Sequence, residues 1–206
     1  MWFLSLNQLL YFYSYGKLGV EFHYQFEDEL EIVKIFFISR LGAVLCLCDD
    51  FSIHLLKIPS KSSHNDISKL YTNDFFVRED DNDHATIITS LALNGKENLL
   101  FIGLKNGDIR LLDIDDSLKL KDDIIRLDEI LKSIPEEMKL KPGSVEVIEE
   151  QPGIDGKILI GYNRSLIALW DYQNNSIDNY FHIEQVIIFF MIVLFNFRKF
   201  INSRWF

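Results

Sequence analysis

Three passages of this chain repeat one phrase in different residues. Asp50-Phe51-Ser52-Ile53-His54-Leu55-Leu56 is one copy, Asn106-Gly107-Asp108-Ile109-Arg110-Leu111-Leu112 the second, and Arg164-Ser165-Leu166-Ile167-Ala168-Leu169-Trp170 the third. Each reads as a tight turn followed by an alternating strand that ends on a large apolar residue. Each follows a short apolar segment: Ala43 to Cys48, Leu99 to Gly103, and Lys157 to Gly161. A repeated strand–turn–strand unit predicts consecutive antiparallel blades of a β-propeller. Leu56, Leu112 and Trp170 hold the same place in the phrase and are expected at equivalent buried positions. They recur at intervals of 56 and 58 residues, longer than the about 40–45 of a WD-type blade, so insertions must separate the units.

Those insertions are visible. Residues Ser60 to His84 read as a long polar insertion around Phe75-Phe76-Val77. Between the second and third units, Ile124, Leu127, Leu131 and Ile134 recur at helical spacing, flanked by Ile125 and Ile130. This predicts a short helix over 122–132, capped by Asp122 or Asp123 and ended by Pro135. Glu31 to Ile38 is a candidate inner strand, and Asn106-Gly107 marks a hairpin turn. Ser176 to Phe181 is read as the first strand of a following blade.

The architecture expected is therefore all-β: a partial WD-repeat-like propeller of about three blades, with a short inserted helix. Its boundaries are a divergent N-terminal segment 1–18, an incomplete propeller 19–182 and a hydrophobic tail 183–206. Three blades cannot close a ring of the usual four to eight. They leave strand edges unpaired, so the chain is expected to be a fragment or to be completed by something else.

Charge and cysteine content narrow the function. A net charge of −10 argues against nucleic acid as a partner, since phosphate binding needs clustered Lys and Arg. The acidic run Glu79-Asp80-Asp81-Asn82-Asp83 lacks the Asp-x-Asp-x-Asp-Gly pattern of a calcium loop and reads as solvated. Cys46 and Cys48 lie two apart on a predicted strand and share a face. That is poor disulfide geometry and fits burial in a reducing, cytoplasmic compartment. No Cys or His pair has zinc-ligand spacing.

Catalytic patterns are missing from the sequence. His23, His54, His64, His84 and His182 show no His-Glu-x-x-His spacing. Ser165 follows Asn163-Arg164 rather than sitting in a Gly-x-Ser-x-Gly elbow. Glu136-Glu137 and Glu149-Glu150 are sequence neighbours with no sign of converging across a cleft. His54 alternates with Ile53 and Leu55, which places it towards solvent or a neighbouring strand. The expectation is no enzyme: no catalytic, cofactor-binding or metal residues and no cofactor.

Both ends are unlike the middle. Residues 1–16 are uncharged and lack the basic start and cleavage site of a secretory leader. Val186 to Phe195 is an unbroken apolar run, short of the about 20 residues of a spanning helix. Membrane association through this tail is an alternative reading, as is packing against the body.

The third unit carries a resemblance. Ser133-Ile134-Pro135-Glu136-Glu137, Ser144-Val145-Glu146, Gly156-Lys157-Ile158-Leu159-Ile160-Gly161-Tyr162 and Leu166-Ile167-Ala168-Leu169-Trp170-Asp171 resemble, in order and spacing, the lethal giant larvae family. Tyr15-Gly16 and Gly19-Val20-Glu21-Phe22 resemble the end of that family's first blade, and Asp49-Asp50, Ser52 and His54-Leu55 the close of its second. The tomosyns share the Ile160-Gly161-Tyr162 and Trp170-Asp171 region. The Ser133 to Glu137 passage favours lethal giant larvae proper. The resemblance covers roughly Tyr15 to His182. It implies a non-catalytic cytoplasmic scaffold at the cell cortex or peripheral plasma membrane, acting in polarity and regulated exocytosis. The partners it implies are a syntaxin-type SNARE and non-muscle myosin II, with links to small-GTPase regulation. The alternatives are a membrane-tethered propeller fragment without retained partner binding, and an enzyme on a propeller fold. The first dozen residues and the tail after Gln185 depart from the family pattern, and its basic phosphorylatable loop is absent from this sequence.

Overall fold

The computed structural model describes residues 2–6, 9–13, 22–26, 30–58, 68–73, 87–115, 118–136 and 143–182. The tail 183–206 and the acidic run 79–83 lie outside them. The described residues form four antiparallel sheets. The first holds β1 (Trp2–Leu6), β2 (Leu9–Tyr13) and β3 (Phe22–Gln25) in that order. The second orders β4 (Ile32–Ile38), β5 (Ala43–Cys48), β6 (Ile53–Lys57) and β7 (Ser68–Asn73). The third orders β8 (Ile88–Leu93), β9 (Leu99–Leu104), β10 (Ile109–Ile114) and β11 (Leu118–Ile125). The fourth orders β12 (Val145–Glu150), β13 (Lys157–Tyr162), β14 (Leu166–Asp171) and β15 (Ser176–His182). In each sheet the strands lie in chain order, the up-and-down meander of a propeller blade. The chain divides into two compact bodies, residues 1–82 with 114–119, and residues 83–113 with 120–206.

The repeated phrase is a repeated register. Leu56 pairs with Val44, Leu112 with Leu100, and Trp170 with Ile158, each pair twelve residues apart. All six side chains are buried. Five residues before the large apolar residue, each turn places a residue in the left-handed region: Phe51 at φ 68°, Gly107 at φ 93° and Ser165 at φ 72°. One residue earlier, Asp50 and Asn106 fold their side chains over the turn, accepting the N–H of Ser52 at 2.8 Å and of Asp108 at 3.0 Å. These are Asx turns, which tolerate left-handed backbone. The first strand of each four-stranded sheet also carries a bulge at one place, at Val33, Thr89 and Glu146.

Each body has its own core. In the first, Leu10 and Phe26 pack with Val44, Cys46, Cys48 and Leu56. Cys46 and Cys48 are buried thiols, not joined in a disulfide, on one face. In the second, Phe101, Ile109 and Leu111 of the third sheet pack with Ile158, Ile160, Ala168 and Trp170 of the fourth. Gly103 permits the approach of the two sheets: a Cβ there would lie 2.7 Å from Val145 Cγ1. The Thr89 hydroxyl donates across the same seam to the Val145 carbonyl at 2.7 Å.

Three sequence expectations are corrected. The predicted helix over 122–132 is shortened to α1 (Leu127–Lys132). Residues 122–125 finish β11, because the free edge of β10 satisfies their backbone groups better than one more helical turn. The cap is not Asp122 or Asp123; the Leu127 N–H donates to Asp108 Oδ1 at 3.0 Å, supplied from the β9–β10 turn. The apolar stripe still reaches the core, since Ile125, Leu127, Ile130 and Ile134 all join it. The insertion read as polar contains β7, the fourth strand of its sheet. And 176–182 is not the start of a further blade. It is β15, tied to β14 by the tight turn after Asp171.

Replacing Trp170 by Ala is expected to lower unfolding free energy by about 3–5 kcal/mol, the range for truncating a large buried aromatic. The Trp170 indole N–H has no hydrogen-bond partner, so Trp170→Phe is expected to cost well under half as much. Equilibrium denaturation of the two variants checks this. In the same assay Gly107→Ala is expected to cost about 1–3 kcal/mol from left-handed strain plus the clash of its Cβ, 2.6 Å from both the Gly143 carbonyl and Leu127 Cδ2. Gly42→Ala, at φ 58° with open space around it, is expected to show only the strain, about 1–2 kcal/mol.

Candidate interaction surface

The chemistry-bearing residues of the sequence are occupied in structural roles. His54 is not turned to solvent: it is 2% exposed, with its ring edge-on to Phe26 at 5.0 Å between centroids. Its Nε2 lies 2.7 Å from Ser52 Oγ, which lies 2.6 Å from Asp50 Oδ1. An ionised Asp50 has no proton, so the Ser52 hydroxyl donates to it and His54 Nε2–H donates to Ser52. Ser165 sits buried in its turn. Glu150 receives the Gly95 N–H and the Tyr172 hydroxyl. His23 and His182 are exposed on β3 and β15, while His64, His84 and Glu137 lie outside the described residues. Among the described residues no three His, Cys, Asp or Glu side chains form a group that could hold a metal ion.

What the second body offers instead is a shaped rim. The turns after β8, β12 and β14 come to one end of its two sheets. Asn94 is buried and holds its turn through Oδ1, which accepts the N–H groups of Asn98 at 3.0 Å and Leu99 at 2.9 Å. Glu150 ties this turn to Tyr172, and the Tyr172 ring meets Phe101 edge-on at 5.0 Å. Burial first, and then the Glu150 charge, raises the Tyr172 phenol above its usual range. Lys96 and Asp155 pair across the rim at 2.9 Å. Beside them the tip of the 151–156 turn presents Ile154, 45% exposed. Ile154 thus stands next to Asp155, on a turn that follows Glu149 and Glu150 in the chain, and an apolar tip beside carboxylates suits a partner with basic residues around an apolar patch.

The opposite rim is built around Asp108. It caps α1, accepts Asn106 Nδ2 at 3.1 Å, and lies close enough to the buried Tyr162 hydroxyl to raise that phenol further, after burial itself. Asn163 holds Gly143 through its side chain and Ser144 through its backbone N–H at 3.0 Å. Nothing in the sequence pattern announced either rim. Both arise from turns remote in sequence, and the only local hint was the Asn and Asp content of those turns.

Comparison with known proteins covers most of this chain. The sequence is 28% identical over 172 residues to the mouse protein named LLGL scribble cell polarity complex component 2, and 30% identical over 176 residues to mouse Lethal(2) giant larvae protein homolog 1. Each match covers 81% of this chain, and 16% and 17% of the respective relative. The Drosophila melanogaster Lethal(2) giant larvae protein is 35% identical over 91 residues, 44% of this chain and 8% of its own length. This chain thus spans about a sixth of the two mouse relatives. No family model matches.

The Asp171 carboxylate provides a pH test of the rim. It accepts the Asn174 N–H at 2.9 Å, the Asn174 side-chain amide at 2.9 Å and the Gln173 N–H at 3.0 Å. These bonds, the Asn174 backbone bond foremost, hold its pKa below the usual carboxylate value. A depressed folded pKa contributes stability above the unfolded value, and that stability is lost as pH falls through the folded one. Wild type is therefore expected to be more stable than Asp171→Asn at neutral pH. The gap should close as pH drops below about 4, as read by denaturant titrations at several pH values.

Proposed function

Because this chain belongs to the lethal giant larvae family, we propose that it serves as a non-catalytic protein-interaction scaffold in cell polarity. The observation that carries the reading is the tandem of antiparallel four-stranded sheets in a common register, in a chain of which 81% is similar to a named polarity-complex component. Sheets of this kind hold their turns rigidly and display them at two rims. That suits recognition of other proteins more than turnover of a small substrate.

The finer proposal names partners and place. The chain, as part of a complete propeller, binds a syntaxin-type SNARE and non-muscle myosin II at the cytoplasmic side of the cell cortex, and so joins polarity to regulated exocytosis and to small-GTPase pathways. The family resemblance supports this, and the apolar tip at Ile154 beside Asp155 is compatible with basic partner surfaces. No catalytic residue, cofactor or nucleic acid enters the proposal.

The test is a pull-down from purified components, with an immobilised syntaxin-type SNARE and a myosin II tail fragment. A version of this chain extended by further blades is expected to bind both, and the chain alone to bind poorly, because unpaired edges leave the presenting surface unfixed. Equal binding by both would show that completion of the propeller does not matter. Failure of a demonstrably folded extended form would remove both partners and leave a scaffold with other ligands.

A further inference from the structure

The dipeptide Asn-Gly occurs twice in the sequence, at Asn94-Gly95 and at Asn106-Gly107. It is chemically labile in water, because a glycine puts no side chain in the way of its own nitrogen. That nitrogen can attack Cγ of the preceding asparagine, close a succinimide ring and expel ammonia. Water then opens the ring to isoaspartate or aspartate. The two copies sit in turns that restrain them differently. At Asn106 the restraints are local: the Gly107 N–H donates to the Leu104 carbonyl at 3.0 Å, and Asn106 Oδ1 accepts the Asp108 N–H at 3.0 Å. At Asn94 the side chain is also tied within its own turn, through Oδ1 to the N–H groups of Asn98 and Leu99 and through Nδ2 to Asn98 Oδ1 at 2.7 Å. The Gly95 N–H, however, donates to Glu150 Oε2 at the end of β12, 55 residues away in the chain.

We infer that Asn94-Gly95 is a latent self-modification site that Glu150 keeps closed, so that opening of the seam between the third and fourth sheets converts Asn94 irreversibly. The attacking species is the Gly95 nitrogen stripped of its proton. A carboxylate bonded to that N–H disfavours a second negative charge there. Asn94 is only 5% exposed, which keeps away the water that opens the ring. A Cβ on Gly95 would stand 3.0 Å from Glu150 Oε2, so the residue that admits the clasp is also the one that makes the bond labile. When the seam parts, Glu150 leaves with β12 and the Gly95 N–H loses its partner. A bond forms from Gly95 N to Asn94 Cγ, the Cγ–Nδ2 bond breaks, and Nδ2 departs as ammonia with the proton from Gly95. Hydrolysis of the ring consumes one water. Isoaspartate carries an extra methylene in the main chain and a new carboxylate. The turn then no longer meets the Asn98 and Leu99 N–H groups as before, and it faces Glu150 with like charge, so the clasp does not re-form.

The test incubates the full chain in warm neutral buffer and follows deamidation at each asparagine by peptide mass spectrometry, with fragmentation that distinguishes isoaspartate from aspartate. Synthetic peptides spanning 91–98 and 103–110 give the unrestrained rates. In the folded wild type both asparagines are expected to convert far more slowly than in the peptides. Glu150→Ala is expected to speed conversion at Asn94 about tenfold or more, the fold-change for losing one charge-assisted hydrogen bond, and to leave Asn106 unchanged. Glu150→Gln, which keeps an acceptor without the charge, is expected to give a smaller rise at Asn94 alone. Conversion of Asn94 at the peptide rate in the wild type would overturn the inference. So would an unchanged Asn94 rate in Glu150→Ala, or an equal rise at both asparagines, which reports general loosening. Should Glu150→Ala fail to fold, the ratio of the two rates in Glu150→Gln decides by the same outcomes.

Discussion

The turn between the second and third strands of each four-stranded sheet is the constraint on which the rest of the structure depends. It sets a twelve-residue spacing between paired residues and so places Leu56, Leu112 and Trp170 in the interior together with Val44, Leu100 and Ile158. The turn needs left-handed backbone at one position, and only the third sheet supplies a glycine. Phe51 and Ser165 adopt it, and Arg164 beside Ser165 is left-handed as well, at a cost of about 1–2 kcal/mol each. Burying one large apolar side chain contributes about 1.5–3 kcal/mol, and each turn aligns several. Packing therefore overrides the local preference.

A second constraint acts between the sheets of the second body. β12 lies close against β8 and β9 because Gly103 of β9 has no side chain where Val145 sits, and the Thr89 hydroxyl of β8 bonds the Val145 carbonyl at the bulge. That approach brings turns remote in sequence to common rims. Glu150 can then reach Gly95 and Tyr172, and Asp108 can cap a helix that begins nineteen residues later. The groups that would draw attention as catalysts are the ones spent on this work. Asp50, Ser52 and His54 form a hydrogen-bonded line, but Ser52 and His54 are closed off from solvent. On one rim of the second body Ile154 stands outward beside Asp155, a surface with the chemistry of recognition.

Edge strands were the hardest part to read. β7 and β11 carry lysines and polar residues, and β15 alternates weakly, with Ile177 and Tyr180 turned towards the core and Asp178 and Asn179 outward. Such strands form because a neighbour's backbone edge is waiting, and no local pattern records that. The helix was half legible for a related reason. Leu127, Ile130 and Ile134 of its apolar set do join the core, but Ile125 reaches that core from a strand, Ile124 is not part of it, and Asp122 and Asp123 are exposed. His54 misled because alternation assigns solvent to every second residue, whereas this sheet has cover on both of its faces at that point: Phe26 on one side and the Leu55 side chain's neighbours on the other.

The sequence by itself determined the repeat: three central hairpins, their turns, their buried termini and the family to which they belong. It could do so because hydrogen bonds within a hairpin and the alternation of its side chains are local, and local physics is written in adjacent residues. Tertiary structure alone decided which polar side chains became caps and clasps, which edges gained a fourth strand, and where a shaped rim would stand. Those outcomes depend on groups that are far apart in the chain and meet only after the sheets have packed, so no spacing of residues encodes them.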